Sequence, residues 1–254
     1  MVRFRKVITM KSPYRLMRLS GSCYRTLRGA LARDHFALVK PLAQGRFGSC
    51  FLVSRKTSDY VLKAFNSNDV KRRKEKLARE SKFLQRIDHP AIPKLIQVLD
   101  RDGFYGLVME QMPGQSLADL LEWDYHFSKT EITAIMAQLI AVMEYLGRLN
   151  ISHRDIKTDN ILWTGEQLAL IDFGSASRVS RFNSRFNPDY WGLGDVFLRL
   201  AANCDEMTTS SNDFSLAQLD LKPAQREVIE RLLYIKKPYC DFQALTEDFN
   251  HAWL

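Results

Sequence analysis

His153-Arg154-Asp155-Ile156-Lys157-Thr158-Asp159-Asn160 is followed, twelve residues past Asn160, by Asp172-Phe173-Gly174. Between them, two short apolar runs, Ile161-Leu162-Trp163 and Leu168-Ala169-Leu170-Ile171, flank Thr164-Gly165-Glu166-Gln167. Apolar runs of this length around a polar turn predict a tight two-stranded hairpin with a loop on either side. Such a hairpin would hold Asp155, Asn160 and Asp172 near one point. Two carboxylates and an amide, so gathered, suit the orienting of a hydroxyl and the receiving of a metal-bound polyphosphate.

The stretch resembles the catalytic loop of eukaryotic-type protein kinases, H-R-D-x-K-x-x-N followed by D-F-G. The resemblance implies an α+β, bilobal fold with a small β-rich N-lobe and a mostly helical C-lobe. It implies ATP and Mg2+ as the cofactors. By it, Asp155 accepts the proton of the acceptor hydroxyl, Lys157 supports the transferring phosphoryl group, and Asn160 and Asp172 hold the metal. Lys157 matches the serine/threonine type of loop. The expected activity is phosphoryl transfer to Ser or Thr of a protein. A sugar or lipid-linked glycan acceptor and a nucleotide-binding pseudokinase scaffold are the alternatives. The scaffold is disfavoured by the completeness of the set.

Upstream, the runs that follow one another suit this expectation. Phe36–Leu42 leads through Ala43-Gln44-Gly45-Arg46-Phe47-Gly48 into Ser49–Val53. Strand, glycine turn, strand is the reading, and it resembles a phosphate-covering loop with Ala43 in the first glycine position. Gly45 and Gly48 keep the backbone free to approach phosphates. Tyr60-Val61-Leu62-Lys63-Ala64 places one lysine in an apolar strand, where the resemblance implies a contact to the α- and β-phosphates. Glu80, on a predicted helix seventeen residues on, is its expected partner, ahead of Glu75. By the resemblance, Glu110 and Met112 form the hinge that meets adenine with Met109 beside the pocket, and Cys50, Val61 and Leu162 would pack around the base. The expected layout is a basic arm over 1–34 and a kinase domain over 35–254. Within the latter, the N-lobe spans 35–110, the hinge 110–114 and the C-lobe 115–254. Ser128-Lys129-Thr130-Glu131 predicts a capping box opening a long core helix.

Downstream the resemblance thins. Asp189-Tyr190-Trp191-Gly192-Leu193-Gly194 resembles the start of the family's central helix, yet Asp189 follows Asp172 by only seventeen residues. Protein kinases commonly use roughly twice that length, with an A-P-E segment that is missing here. Lys237 stands where an arginine would pair with the glutamate of that segment. Control by a phosphorylated activation loop is therefore not expected. The short segment keeps Arg178, Arg181 and Arg185 with Phe182 and Phe186.

Charge is unevenly spread. Residues 1–33 hold nine Lys or Arg and no acid, while the remainder carries 29 acids against 28 bases. Leu16, Leu19, Cys23, Leu27 and Leu31 recur at helical spacing in this arm. The arm could contact an anionic membrane surface or nucleic acid, or dock on the kinase body. Cys23, Cys50, Cys204 and Cys240 are scattered and form no C-x-x-C pair, which argues against zinc and disulfide frameworks. No run is long and apolar enough for a transmembrane segment, nor is a secretory signal apparent. A cytoplasmic protein, with the arm as a peripheral membrane contact, is the expected setting.

Overall fold

The computed structural model describes residues 21–45, 48–64, 70–101, 104–179, 186–207 and 216–254. The chain divides into two compact units, Met1–Glu75 with Ile96–Glu110, and Lys76–Leu95 with Gln111–Leu254.

The first unit is built on a five-stranded sheet of order β1-β2-β3-β5-β4. Its strands are β1 (Ala37–Gly45), β2 (Gly48–Arg55), β3 (Ser58–Ala64), β4 (Leu95–Arg101) and β5 (Phe104–Glu110). Strand alternation sends neighbouring side chains to opposite faces. Phe51, Val53, Leu62, Ala64 and Val108 therefore share one face, and they are buried there. Helix α1 (Gly21–Arg33) covers that face with Leu27, Ala30 and Leu31. Its exposed side carries Arg25, Arg28 and Arg33. The helical part of the basic segment is thus packed into the first unit's core, and its apolar face is occupied by the sheet. Leu16 and Leu19 lie outside the described residues.

Helix α2 (Val70–Leu84) contains the division between the units. The second unit is mainly helical. It contains α3 (Leu117–Glu122), α4 (Lys129–Arg148), α5 (Pro188–Ala202), α6 (Pro223–Leu232) and α7 (Phe242–Trp253). Helix α4 opens on the expected capping box: Glu131 N–H donates to Ser128 Oγ at 3.2 Å, and Ser128 N–H to Glu131 Oε2 at 3.0 Å. Its apolar stripe, from Ile132 to Leu146, is buried as α5 and α7 pack against it. No helix among the described residues is long and apolar enough to cross a membrane.

Three short strand pairings matter for the site. Strand β6 (Gln115–Ser116) pairs with β8 (Ile161–Trp163), and β8 with β9 (Leu168–Leu170). Strand β7 (Ile151–Ser152) pairs with β10 (Ser177–Arg178). Gly114, at φ 109°, lets the chain pass β8. A Cβ there would stand 2.8 Å from the Trp163 carbonyl oxygen.

Candidate active site

The loop 153–160 leaves β7 and enters β8, so both its ends are anchored in strand pairs. Its interior is held by hydrogen bonds. Asn160 Nδ2 donates to the Asp155 carbonyl oxygen at 2.9 Å and to Asp155 Oδ2 at 3.0 Å. Lys157 Nζ lies 3.0 Å from the same Oδ2. That oxygen is therefore fixed twice. Among the described residues nothing donates to Oδ1 of Asp155, so one carboxylate oxygen is anchored and the other remains to accept a proton. Burial works against the Lys157 charge, but the hydrogen bond and charge of Asp155, with Asp159 and Asp172, outweigh it and raise its pKa. Lys157 stays an ammonium.

Asp172 is brought in through its neighbour. Ile171 N–H donates to Asn160 O at 2.9 Å, and His153 Nε2 donates to Ile171 O at 3.2 Å. The residue before Asp172 is thereby tied to both ends of the 153–160 loop. Asp172 itself sits at φ 64°, and its Oδ1 accepts from Gly174 N–H at 3.1 Å. Left-handed backbone is uncommon for a residue with a Cβ, though aspartate tolerates it better than most. Arg154 is also left-handed, at φ 65°. Two such residues on adjoining loops are the kind of local strain that surrounding contacts must sustain.

At Arg154 those contacts come from Asp189, at the start of α5. Its fully buried carboxylate accepts from Ser152 Oγ at 2.7 Å, His153 N–H at 3.1 Å and Arg154 N–H at 2.6 Å. A buried carboxylate needs such donors, and buried backbone N–H groups need an acceptor. The two requirements meet here. One turn along α5, Gly192 backs onto the loop: a Cβ there would stand 2.7 Å from both Cβ and O of Ile156. His153 is buried with its ring against Phe173, centroids 4.7 Å apart. Burial lowers its pKa, against the charges of Asp189, Asp172 and Asp155 and the Ile171 hydrogen bond, so it packs as a neutral ring. The sequence places Asp189 at the start of the central helix, but its part in supporting the loop emerges only in the fold. Its position directly after Pro188 at a helix start is the available signal.

The other expected site residues are distributed as follows. On the first unit's sheet, Cys50 pairs with Lys63, Lys63 with Leu107, and Val61 with Met109. Directly opposed residues share a face, so Cys50, Val61, Lys63 and Met109 all lie on the face opposite α1. Gly45 and Gly48 face each other at the β1–β2 turn, with residues 46 and 47 outside the described set. Lys63 is buried in the first unit, and Glu80 is buried on the part of α2 in the second. Glu110 ends the first unit and Met112 lies in the second. Leu162 is half-buried on β8, between the buried Ile161 and Trp163. Of the basic segment after Gly174, Arg178 is exposed on β10, while Arg181, Phe182 and Arg185 lie outside the described residues. Phe186 is exposed and packs against Tyr234 with the rings tilted by 39°.

The oxygen donors present suit magnesium. Because both acceptors facing Asn160 are oxygens of Asp155, its NH2 group must turn toward them, which leaves Oδ1 of the amide on the other side. An amide oxygen and the Asp172 carboxylate are hard ligands, and magnesium typically adds substrate phosphates and water to one or two such groups.

Known proteins resemble this chain in sequence. The family model described as Protein kinase domain matches residues 36–192. The chain is 30% identical over 238 residues to the protein named Probable serine/threonine-protein kinase YbdM of Bacillus subtilis, covering 88% of this chain and 91% of that protein. It is 33% identical over 163 residues to Protein kinase PVPK-1 of Phaseolus vulgaris and 37% over 171 residues to Serine/threonine-protein kinase TAO1-B of Xenopus laevis. Those matches cover 61% and 65% of this chain, but only 27% and 17% of the two longer relatives.

Proposed function

Since the chain belongs to the serine/threonine protein kinase family and is a phosphotransferase acting on protein, we propose that it uses ATP with Mg2+ and works without an activation-loop switch. The observation that carries this reading is the state of Asp155. One oxygen is pinned by Asn160 and Lys157, and the other is left to take the proton of a serine or threonine hydroxyl. Lys157, a retained cation beside that oxygen, offers charge to a transferring phosphoryl group. Asn160 Oδ1 and Asp172 would hold magnesium, which on binding neutralises phosphate charge.

Cys50, Val61 and Met109 on the sheet face opposite α1 are read as the adenine side, with Leu162. Gly45, Gly48 and Lys63 are read as the phosphate side. Support for unswitched activity is the loop's own anchoring. Arg154 N–H is already satisfied by Asp189, and Asp155 by Asn160 and Lys157, all within the chain.

The test is incubation of the purified protein with terminally labelled ATP and Mg2+ in a cell extract, beside Asp155→Ala and Asp172→Ala. Label entering protein, and lost in both variants and on chelation of the metal, is the expected result. Label confined to a lipid or glycan fraction would redirect the acceptor. Nucleotide binding with no transfer would leave a scaffold.

A further inference from the structure

Helix α6 ends in a Schellman turn: Tyr234 N–H donates to Arg231 O at 3.3 Å, and Ile235 N–H to Glu230 O at 2.9 Å. The left-handed position of this turn ordinarily takes glycine or asparagine. Here it is Tyr234, at φ 63°. A bulky residue in that conformation points to a compensating use of its side chain. The use is visible at the hydroxyl. Tyr234 Oη accepts a hydrogen bond from Asn187 N–H and donates to Asn187 O at 3.2 Å. Both backbone groups of one residue are thus held by one hydroxyl, and the exposed Phe186 lies over the ring with centroids 4.9 Å apart.

Asn187 is not an arbitrary residue to hold. It is the N-cap of α5, its Oδ1 accepting from Asp189 N–H at 3.0 Å. Asp189 in turn holds Ser152, His153 and Arg154. A continuous chain of hydrogen bonds therefore runs from the Tyr234 hydroxyl through Asn187 and Asp189 to the residue before Asp155.

We propose that Tyr234 is a positioning residue for phosphoryl transfer, fixing the N-terminus of α5 so that Asp189 can hold the 153–155 backbone in place. This rests on the reading of Asp155 as the group that meets the acceptor hydroxyl. Tyr234 touches no reacting atom. It sets where Asp155 stands, and so it acts on turnover rather than on nucleotide affinity.

The structure supplies a matched control. Tyr145 makes the same two-way clasp on Asp88, accepting from its N–H at 2.9 Å and donating to its O at 3.1 Å. Among the described residues, the hydrogen bonds of that clasp reach no residue of the 153–160 loop. The experiment compares wild type, Tyr234→Phe, Asn187→Ala and Tyr145→Phe by amide hydrogen exchange of the peptide spanning 152–156 and by steady-state kinetics. Tyr234→Phe keeps the ring and its tilted contact with Phe186, so the fold is expected to be preserved. Expected for Tyr234→Phe is about three- to tenfold faster exchange in that peptide, with kcat lower by a similar factor and the KM for ATP unchanged. Asn187→Ala should do the same, and the double variant should add little to either single one. Tyr145→Phe should leave both readouts at wild-type values. Unchanged exchange in Tyr234→Phe, equal effects from Tyr145→Phe, or faster exchange with full kcat would each overturn the proposal. The exchange measurement does not depend on turnover. If wild type transferred no phosphate, it would still decide whether the clasp holds the loop, while the functional reading would fail separately.

Discussion

Asn160 turns both protons of its amide toward Asp155, one to the main chain and one to Oδ2. The side chain proposed to offer its oxygen to a cation is therefore also the one that orients Asp155, the proposed proton acceptor. The two roles are separable by substitution. Asn160→Asp keeps an oxygen ligand but loses both donors and sets two carboxylates side by side. Losing two hydrogen bonds near a charge corresponds to a fall in kcat of about ten- to a hundredfold. Steady-state assays at saturating Mg2+ check this, and activity within twofold of wild type would refute it.

Gly192 is a second point where the loop is set from behind. A methyl group there would enter the space of Ile156, 2.7 Å from its Cβ and O. Both contacts belong to the loop that carries Asp155, so the loop must shift. Gly192→Ala should lose about 1–3 kcal/mol of stability and lower kcat severalfold. Urea denaturation alongside activity tests both parts, and a variant equal to wild type in each would show that the loop yields freely.

Stability should fall in mild acid through His153. Its pKa in the fold is depressed by burial below the ordinary value of 6.5. As pH falls, the unfolded chain takes up this proton before the folded one does. The stabilisation is complete above about pH 6.5 and is lost progressively below it. Between about pH 7 and about pH 5.5 the urea midpoint should drop, and it should drop less in His153→Asn. Parallel pH profiles for the two proteins would contradict the assignment.

Helix α1 contributes to the fold of the first unit through Leu31, which is buried among Phe36, Phe51 and their neighbours. Leu31→Ala removes a buried side chain from a packed cluster, at about 2–5 kcal/mol. Arg25→Ala on the exposed side of the same helix should cost little. Thermal denaturation of the two variants distinguishes a packed helix from a loosely attached one. Equal, negligible losses would argue for the second.

How much of the molecule is legible in the sequence depends on how locally each feature is encoded. The loop from His153 to Asn160 and the 161–170 hairpin are readable because the residue types, the turn and the strand runs are contiguous. The capping box at Ser128 is readable for the same reason. Lys63 and Met109 are readable by register, and strand alternation then places them on one face with Cys50 and Val61. The spacing of Leu27 and Leu31 announces an amphipathic helix, but the identity of its cover requires the sheet to be folded. Asp189 and Tyr234 are not readable in their roles. The bonds from Ser152, His153 and Arg154 to Asp189 span 35 to 37 residues, and those from Tyr234 to Asn187 span 47. The local pattern marks Asp189 as the start of a helix but not as the acceptor for the loop, and it marks nothing at Tyr234.

The most direct test of the central claim is phosphoamino-acid analysis of a protein acceptor after incubation with labelled ATP and Mg2+, comparing wild type with Asp155→Asn. The substitution keeps the shape of the side chain but removes the carboxylate that would take the hydroxyl proton. Expected is label on serine or threonine with wild type, a loss of about a hundredfold or more in Asp155→Asn, and unchanged ATP binding by both. Equal labelling by the two proteins would contradict the assignment of Asp155 as the proton acceptor.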